Sequence, residues 1–284
     1  MKILHLWNYA DVAFVLKKYQ EEIYGHKVSI FKKNGFDPYQ IGQFYNHKDF
    51  TPKIFGAKEY YFFATLKSLF PDVIHVNGLS EIIPYIKKLR PKAKIIFEYH
   101  GTDQIEKLKP FKHKILPLID KEIVCSPDLL DFVPNAELIL NPINTEHFKQ
   151  KKPKNEKFFM ILQRDWSEEK LKEVIKKRGF NKNFEVIRTS KMDGTKIVKD
   201  QGTLYMDLPE FFYNYGGFID VKFNVYGDLI KALSLTGIQA LSCGLKVLSS
   251  IKKTELQGLP DEFKPENVCK KWEKVYEEIG LNKK

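Results

Sequence analysis

The sequence predicts an open α/β fold with two parallel-sheet domains in tandem, and three observations support this. Short, strongly apolar segments alternate with helical segments along the chain, as in 2–7, 27–31 and 72–77. Strands this apolar, separated by helices, are typical of a parallel sheet covered on both faces. A Lys-rich stretch at 149–157 interrupts the alternation, and a second α/β series follows it.

The first series predicts a domain over residues 1–148. Pro84 is expected to kink the helix that contains it, because proline cannot donate a backbone hydrogen bond. The predicted strands are 2–7, 27–31, 72–77, 94–99, 122–126 and 136–141, and the predicted helices are 10–22, 57–70 and 80–90.

Residues 149–157 are polar and contain Pro153, which predicts a linker. A second domain is predicted over 158–264, with an amphipathic helix in 265–284 that packs back towards the first domain. Its helix 167–179 has Ser167 as the expected N-cap and Gly179 as the expected stop. The other predicted elements are strands 158–162, 184–189, 218–223 and 245–250 and a helix over 235–243.

The charge of the chain favours an anionic partner. Its 47 Lys+Arg against 36 Asp+Glu give a net charge of +11 over 284 residues. A nucleotide phosphate, an anionic membrane surface or nucleic acid would suit this excess. The alternative is a Lys-rich, solvated surface with no particular partner.

The three cysteines, Cys125, Cys243 and Cys269, are far apart and form no CxxC pair. Neither a disulfide framework nor a zinc site is therefore expected. The N-terminus has no long apolar segment with a cleavage site, and no apolar stretch approaches the length of a membrane span. These features predict a cytoplasmic protein.

The helix that begins near Thr236 is the first candidate site. Its entry is made of small residues, and the unpaired N–H groups of a helix N-terminus suit a phosphate. Gln239, one turn further, is placed to bind a ribose or sugar hydroxyl. The alternative is a plain buried helix capped by Ser234 or Thr236.

Two further clusters follow predicted strands. Arg164 and Lys170 lie at the mouth of the second sheet and could neutralise a diphosphate. His100 ends a strand of the first sheet, where Gly101 would permit an unusual backbone and Asp103 could orient the imidazole or contact a hydroxyl. The alternatives are two surface cations and a structural histidine.

Five segments, taken together, resemble the retaining GT-B glycosyltransferases of family 4. They occur in the family's order, and no single one would be sufficient. They are YHGTD (99–103), SPDLLDFVPNAELILNPINTEHF (126–148), RDWSEEK (164–170), GIQALSCGLKVLSS (237–250) and PENVCKKWEKVYEEIG (265–280).

The resemblance implies two Rossmann-like domains that face each other across a cleft, with the nucleotide-sugar donor held mainly by the second domain. The helix entry Thr236, Gly237 and Ile238 would meet the donor's phosphates and sugar. Gln239 stands where the family has a ribose-binding Glu. The earlier Glu of that pair would fall at Lys231, so either both carboxylates are replaced, or the loop 226–237 is rearranged and Asp228 takes over.

The remaining site residues also follow from the resemblance. Arg164 and Lys170 match the family's diphosphate-binding pair, and His100 matches its cleft-facing histidine. The family's N-terminal glycine-rich loop is missing, and the segment 8–14 stands in its place. Asn8, Tyr9 and Asp103 are therefore expected on the acceptor or sugar side.

The predicted activity is transfer of a sugar from a nucleotide diphosphate sugar to an acceptor hydroxyl with retention, in polysaccharide, glycan or glycolipid synthesis. No DxD motif is present, so no metal and no cofactor are expected. The acceptor is a glycan or lipid-linked sugar, and residues 59–70 could rest on an anionic membrane. The alternative for this segment is a helix packed on its own sheet. A degenerate GT-B protein that binds a nucleotide sugar or a partner without turnover is the alternative. Nucleic acid is not favoured as a partner, because the sequence has no RRM, KH or helix-turn-helix signature.

Overall fold

The structure, a computed structural model, divides into two compact units, called here the first and second domains. The first domain comprises 1–36, 45–142 and 262–284, and the second comprises 37–44 and 143–261. The residues described are 1–8, 10–32, 39–47, 56–162, 168–177, 179–180, 183–188, 192–193, 196–197, 204–224, 226, 228–249 and 255–281.

The sheet of the first domain is parallel throughout, with strand order β2-β1-β3-β4-β5-β6. Its strands are β1 (Lys2–Leu6), β2 (Lys27–Phe31), β3 (Val73–Asn77), β4 (Lys94–Tyr99), β5 (Lys121–Val124) and β6 (Glu137–Leu138).

The described residues also form ten α-helices. The helix predicted over 80–90 is divided into a 3₁₀ turn, Ser80–Ile82, and a helix with Pro84 in its first turn, where a missing N–H costs nothing. The helices are α1 (Val12–Tyr24), α2 (Ile41–Phe44), α3 (Ala57–Lys67), α4 (Ile83–Leu89), α5 (Thr102–Leu108), α6 (Lys112–Ile115), α7 (Glu168–Lys177), α8 (Leu208–Phe212), α9 (Leu235–Ser242) and α10 (Pro265–Glu278).

Helices cover both faces of the first sheet. On one face, buried side chains of α3, α4 and α5 pack against the sheet in one core cluster. On the other face, α1 and α10 pack against the sheet in a second cluster. The C-terminal helix α10 buries Val268, Trp272, Val275 and Tyr276, each at most 1% exposed, so it completes the core of the first domain.

The second domain has a five-stranded sheet with strand order β13-β12-β11-β7-β8. All pairs are parallel except β12 with β13. Its core is apolar and includes Phe158, Met160 and Ile219. The strands are β7 (Phe158–Leu162), β8 (Phe184–Arg188), β11 (Gly217–Asp220), β12 (Lys246–Ser249) and β13 (Glu255–Leu256), and β9 (Met192–Asp193) and β10 (Lys196–Ile197) form a separate antiparallel pair.

The domain bounds differ from the predicted ones at four places. Residues 143–148, predicted in the first domain, belong to the second, and residues 262–264, predicted in the second, belong to the first. The segment predicted as a linker is part of the second domain, where Lys151 N donates to Cys243 O and Lys154 N donates to Tyr213 O. Residues 39–44 also belong there, because Tyr205 N donates to Tyr39 O and the Phe44 ring contacts the Tyr205 ring. Neither contact has a local sequence signal.

The three cysteines are buried and free. Among the described helices, none combines the length and the apolar character that crossing a bilayer requires.

Candidate functional site

The first sheet has a topological switch point between β1 and β3. After β1 the chain crosses on one face through α1 to β2, whereas after β3 it crosses on the opposite face through α4 to β4. Open parallel sheets bind ligands beyond the carboxyl ends of their strands at such a point. The first candidate site is therefore the edge where β1, β3 and β4 end.

The turn from β1 to α1 has an unusual backbone at this edge. Trp7 has a φ of +74°, a region that bulky residues rarely adopt, and its N–H donates to Phe31 O over 2.9 Å. Asn8 Oδ1 accepts from Ala13 N over 2.9 Å and so satisfies one of the free amides of α1. Asn8, which was predicted on the acceptor side, thus caps the first turn of α1. Tyr9, predicted on the same side, lies outside the described residues.

Asn77 connects the end of β3 to the end of β1. Its Nδ2 donates to Leu6 O over 3.3 Å and to Trp7 O over 3.2 Å. These two carbonyl groups fix the orientation of the amide, so Oδ1 is the acceptor for His100 Nε2 at 3.3 Å. His100 therefore carries its proton on Nε2 and its lone pair on Nδ1.

Glu98 is the second neighbour of the His100 ring. Its Oε1 lies 3.7 Å from Nε2, and Oε2 has no hydrogen-bond partner among the described residues. Burial raises the pKa of Glu98 to about 8 and lowers the pKa of His100 to about 3, because it disfavours both charged forms. Near neutral pH the site thus offers a neutral imidazole with a fixed tautomer, which can hydrogen-bond a hydroxyl but carries no charge.

Asp103 does not orient His100, which corrects the sequence-based expectation. Its carboxylate is exposed and lies 3.7 Å from Lys107 Nζ, one turn along α5. Gly101 is also not unusual, because its φ of −177° is an extended conformation open to any residue. The residues that orient the imidazole, Asn77 and Glu98, were missed because both lie in apolar strands. A polar residue within such a strand is the signal that could have indicated them.

The second sheet has its switch point between β7 and β11, which are adjacent and parallel. The chain between β7 and α7, 163–167, lies outside the described residues, and Arg164 is part of it. Lys170 is the third residue of α7, and its side chain is outside the described set as well. The predicted diphosphate pair therefore lies in the segment of the sequence that follows β7, the strand at the switch point. How the two side chains are placed stays a prediction.

The N-terminus of α9 lies beside β11 and is satisfied by the protein itself. Ser234 is the N-cap, and its Oγ accepts from Gly237 N over 2.9 Å. Ile238 N donates to Ser234 O, also over 2.9 Å. The buried carboxylate of Asp220 accepts from Ser234 N over 2.7 Å, which places an acidic group where the helix dipole is positive.

Asp220 explains why Gly237 is small. A Cβ at Gly237 would lie 2.3 Å from Asp220 Oδ2, so no larger side chain fits. Of the three amides predicted to meet a phosphate, those of Gly237 and Ile238 donate within the protein, and Thr236 N remains the candidate. Burial raises the pKa of Asp220, although Lys222 and the bonds to Ser234 counteract this, and burial lowers the pKa of Lys222, which Asp220 counteracts.

The other predicted donor residues are placed differently from one another. Gln239 is 5% exposed within α9, whereas Lys231 is exposed before it. Asp228 is exposed in a turn, where its N–H donates to Asn224 Oδ1 over 2.9 Å and its carboxylate accepts from Asn224 Nδ2 over 3.3 Å. Asp228 is therefore engaged locally at the turn.

No metal centre is evident in the part of the chain that the structure describes. Its His, Cys, Asp and Glu side chains form no group of three or more that could hold an ion.

Comparison with known proteins gives a structural likeness only. No protein-family model matches the chain, and no curated protein matches it. Among solved structures, sucrose-phosphate synthase from Thermosynechococcus elongatus matches with a TM-score of 0.50 at 12% identity, over 99% of this chain and 91% of that one. MurG from Acinetobacter baumannii also matches, with a TM-score of 0.38 at 10% identity, over 77% of this chain and 72% of that one. The calicheamicin glycosyltransferase CalG4 matches with a TM-score of 0.35 at 10% identity, over 98% of this chain and 92% of that one.

These neighbours are GT-B glycosyltransferases. Two Rossmann-like domains with parallel sheets, together with the likeness over nearly the whole chain, define the class of fold. The protein has the GT-B fold.

Proposed function

We propose that the protein is a glycosyltransferase that moves a sugar from a nucleotide diphosphate sugar to an acceptor hydroxyl with retention. The observation that carries this proposal is the GT-B likeness to sucrose-phosphate synthase over 99% of the chain. The polar groups at the carboxyl edges of both sheets support it, since this is where open α/β sheets bind ligands.

The donor is assigned to the second domain. Arg164 and Lys170 neutralise the departing diphosphate, and Thr236 N adds one backbone donor. Gln239 binds the ribose, because an amide can donate to and accept from hydroxyl groups. Stabilising charge on the leaving group is typically the largest catalytic contribution, and no carboxylate nucleophile is required for a front-face route.

The acceptor is assigned to the first domain. The neutral His100 imidazole, oriented by Asn77, hydrogen-bonds a sugar hydroxyl, and Tyr9 and Asp103 are assigned to the acceptor as further contacts. The acceptor class is a glycan or a lipid-linked sugar, and the enzyme works in the cytoplasm in peripheral contact with the membrane. No cofactor and no metal takes part in this proposal.

A second candidate is a GT-B protein that binds a partner or a nucleotide sugar without turnover. The observation that favours it is the occupied entry of α9, where Ser234 and Asp220 satisfy the helix N-terminus internally. A diphosphate at that point would meet a carboxylate. The exposed Lys231, where the resembled family has a Glu, points the same way.

A donor-turnover assay separates the two candidates. The purified chain is incubated with UDP-, GDP- and ADP-sugars, and release of nucleoside diphosphate is followed by chromatography with and without glycan and lipid-linked acceptors. The transferase predicts release from one donor class and an anomeric configuration retained in the product, as read by NMR. Binding of a donor without any release would favour the non-catalytic candidate.

A further inference from the structure

The outer surface of one helical layer of the first domain is apolar. The layer is formed by α3, α4, α5 and α6, whose inner sides pack on the same face of the sheet. Within these helices and the turns beside them lie eight of the twelve large hydrophobic side chains that are exposed among the described residues. Such a concentration on one face marks an interaction surface, whereas scattered exposed hydrophobic residues need no explanation.

The exposed side chains follow the helical repeat. On α3 and the turn after it, Phe62 is 60% exposed and Phe70 is 75% exposed, with Phe63 and Leu66 between them. The opposite side of α3 holds Ala64, which is fully buried. The helix is therefore apolar on its inner and its outer side, a pattern that a helix facing only water does not need.

The surface continues from α3 onto α4 and α6. Helices α3 and α4 are in contact, and α4 contacts the 3₁₀ turn Leu116–Leu118 that directly follows α6. On α4, Tyr85 is 58% exposed and Leu89 is 55% exposed, and in the 3₁₀ turn before α6, Phe111 is 53% exposed. Aromatic rings at the outer surface suit the boundary between water and lipid headgroups.

The charge around these side chains is strongly positive. Between residues 57 and 115, eight lysines but only three acidic residues are exposed. Four of the lysines lie within four residues of Phe111 in the sequence: Lys107 and Lys109 form ion pairs with Asp103 and Glu106, and Lys112 and Lys114 follow Phe111 directly. Exposed rings surrounded by lysines fit an anionic bilayer surface, because the apolar groups enter the headgroup boundary while the lysines meet lipid phosphates.

We infer that the outer face of α3, α4 and α6 docks on an anionic membrane surface, lying in the headgroup region without crossing the bilayer. This docking face rests on the peripheral membrane contact of the proposed function and specifies where that contact lies, and it does not depend on the sugar-transfer reaction itself. Its test measures lipid binding alone, so failure of either idea can be distinguished from failure of the other.

The test is co-sedimentation of the full chain with vesicles of phosphatidylcholine, with and without phosphatidylglycerol. Binding is expected only to the anionic vesicles and is expected to weaken as salt rises. The double variant Phe62→Ser/Phe70→Ser is expected to bind about tenfold more weakly, since two exposed rings are lost. Its matched control is Met206→Ser/Tyr226→Ser, which removes two exposed apolar side chains of the second domain and should bind as wild type does.

The charge contribution is tested in parallel. Lys112→Glu/Lys114→Glu is expected to weaken binding by about tenfold or more, since each lysine near an anionic surface contributes about fivefold. Lys152→Glu/Lys176→Glu, which reverses two exposed lysines of the second domain, is the control. If both lysine double variants lost the same amount of vesicle binding, the protein would be attracted by its net charge alone. This result would overturn the assignment of the docking face.

Two other outcomes would also overturn the inference. One is that the wild type does not bind anionic vesicles, or that the Phe62→Ser/Phe70→Ser variant binds them as tightly as the wild type does. The other is self-association without lipid, seen by sedimentation velocity and abolished by that variant, which would make a second copy of this chain the occupant. Circular dichroism and melting temperature confirm that each variant is folded.

Discussion

The two Rossmann-like domains place different chemistry at the same topological position. In the first, the edge between β1 and β3 holds a neutral network in which Asn77 fixes the proton of His100 on Nε2. In the second, the edge beside β11 holds a carboxylate, Asp220, that accepts from the entry of α9. The comparison teaches that a switch point predicts where a ligand binds, whereas the local hydrogen bonds decide which groups remain to bind it.

The domains also differ in how they bury polar groups. The first domain encloses the rings of His5 and His75, with centroids 4.4 Å apart, beneath α1 and α10. Gln20 Nε2 donates to Tyr276 Oη, which lies 2.9 Å from His75 Nε2, so α1, α10 and β3 share one network. The described part of the second domain buries a carboxylate, Asp220, and the hydroxyl side chains of Ser242 and Ser249 instead of histidines. The two buried imidazoles should therefore make the first domain sensitive to acid.

The largest expected effect tests the donor side of this comparison. Arg164→Ala should lower turnover on the order of 10²–10³-fold, because it removes charge stabilisation from the leaving diphosphate. Lys170→Ala should have a similar effect, and Lys176→Ala, an exposed cation on the same helix, should have none. Steady-state kinetics measures all three, and near wild-type turnover in Arg164→Ala would reject the assigned role.

The second effect concerns acid stability. Burial lowers the pKa of His5 to about 4, below its unfolded value of 6.5, so the unfolded chain binds the proton first. The stability that comes from keeping His5 neutral is fully present above about pH 6.5, and this part of the free energy of unfolding is lost as the pH falls towards 4. Between pH 7 and pH 5 the wild type should lose about 2 kcal/mol more of its free energy of unfolding than His5→Leu does. Urea unfolding at the two pH values measures this, and equal losses would contradict it.

The third effect concerns the carboxylate at α9. Asp220→Asn should lower the free energy of unfolding by about 1–3 kcal/mol, because the half-buried Lys222 loses its compensating charge and the bond from Ser234 N loses its ionic acceptor. Asp228→Asn, in an exposed turn, should change it by less than about 0.5 kcal/mol. Thermal unfolding compares the two variants. A larger loss in Asp228→Asn would show that the carboxylate that matters lies in the turn.

The fourth effect separates two explanations of the His100 orientation. Asn77→Asp should raise the pKa of His100 from about 3 by about one unit or more, because a carboxylate beside Nε2 favours the imidazolium. Asp103→Asn should leave that pKa unchanged, since Asp103 lies beside Lys107 instead. NMR titration of the ring protons reads both. A shift only in Asp103→Asn would restore the sequence-based interpretation.

The smallest expected effect is that of metal removal. The proposed reaction assigns charge neutralisation to Arg164, Lys170 and an amide, so EDTA should leave turnover unchanged. Loss of activity in EDTA with recovery on adding Mg²⁺ or Mn²⁺ would assign that task to an ion.

Most of the architecture could be predicted from the sequence, because helices and strands depend on the spacing of apolar residues and on the length of each apolar segment. Strands β1, β2, β4 and β7 agree with the predicted segments to within one residue. The strand predicted over 136–141 is observed only as Glu137–Leu138, and the polar segment 149–157 belongs to a domain through backbone bonds that no side chain signals. Tertiary contacts decided both cases.

The candidate site was predicted less completely, and the reason is physical. His100 follows a strand, so its place at the sheet edge can be inferred from sequence. Asn77, Glu98 and Asp220 belong to apolar strands, and their roles depend on which strands are neighbours. For α9 the sequence left capping and phosphate binding open, and the structure shows the Ser234 cap.

The central claim, that the second domain holds a nucleotide diphosphate sugar, is tested most directly by thermal unfolding with a panel of UDP-, GDP- and ADP-sugars. One donor class at a hundredfold excess over its Kd should raise the melting temperature of the wild type by roughly 5 °C, and that of Arg164→Ala much less. No shift with any member of the panel, or an equal shift in Arg164→Ala, would contradict the account.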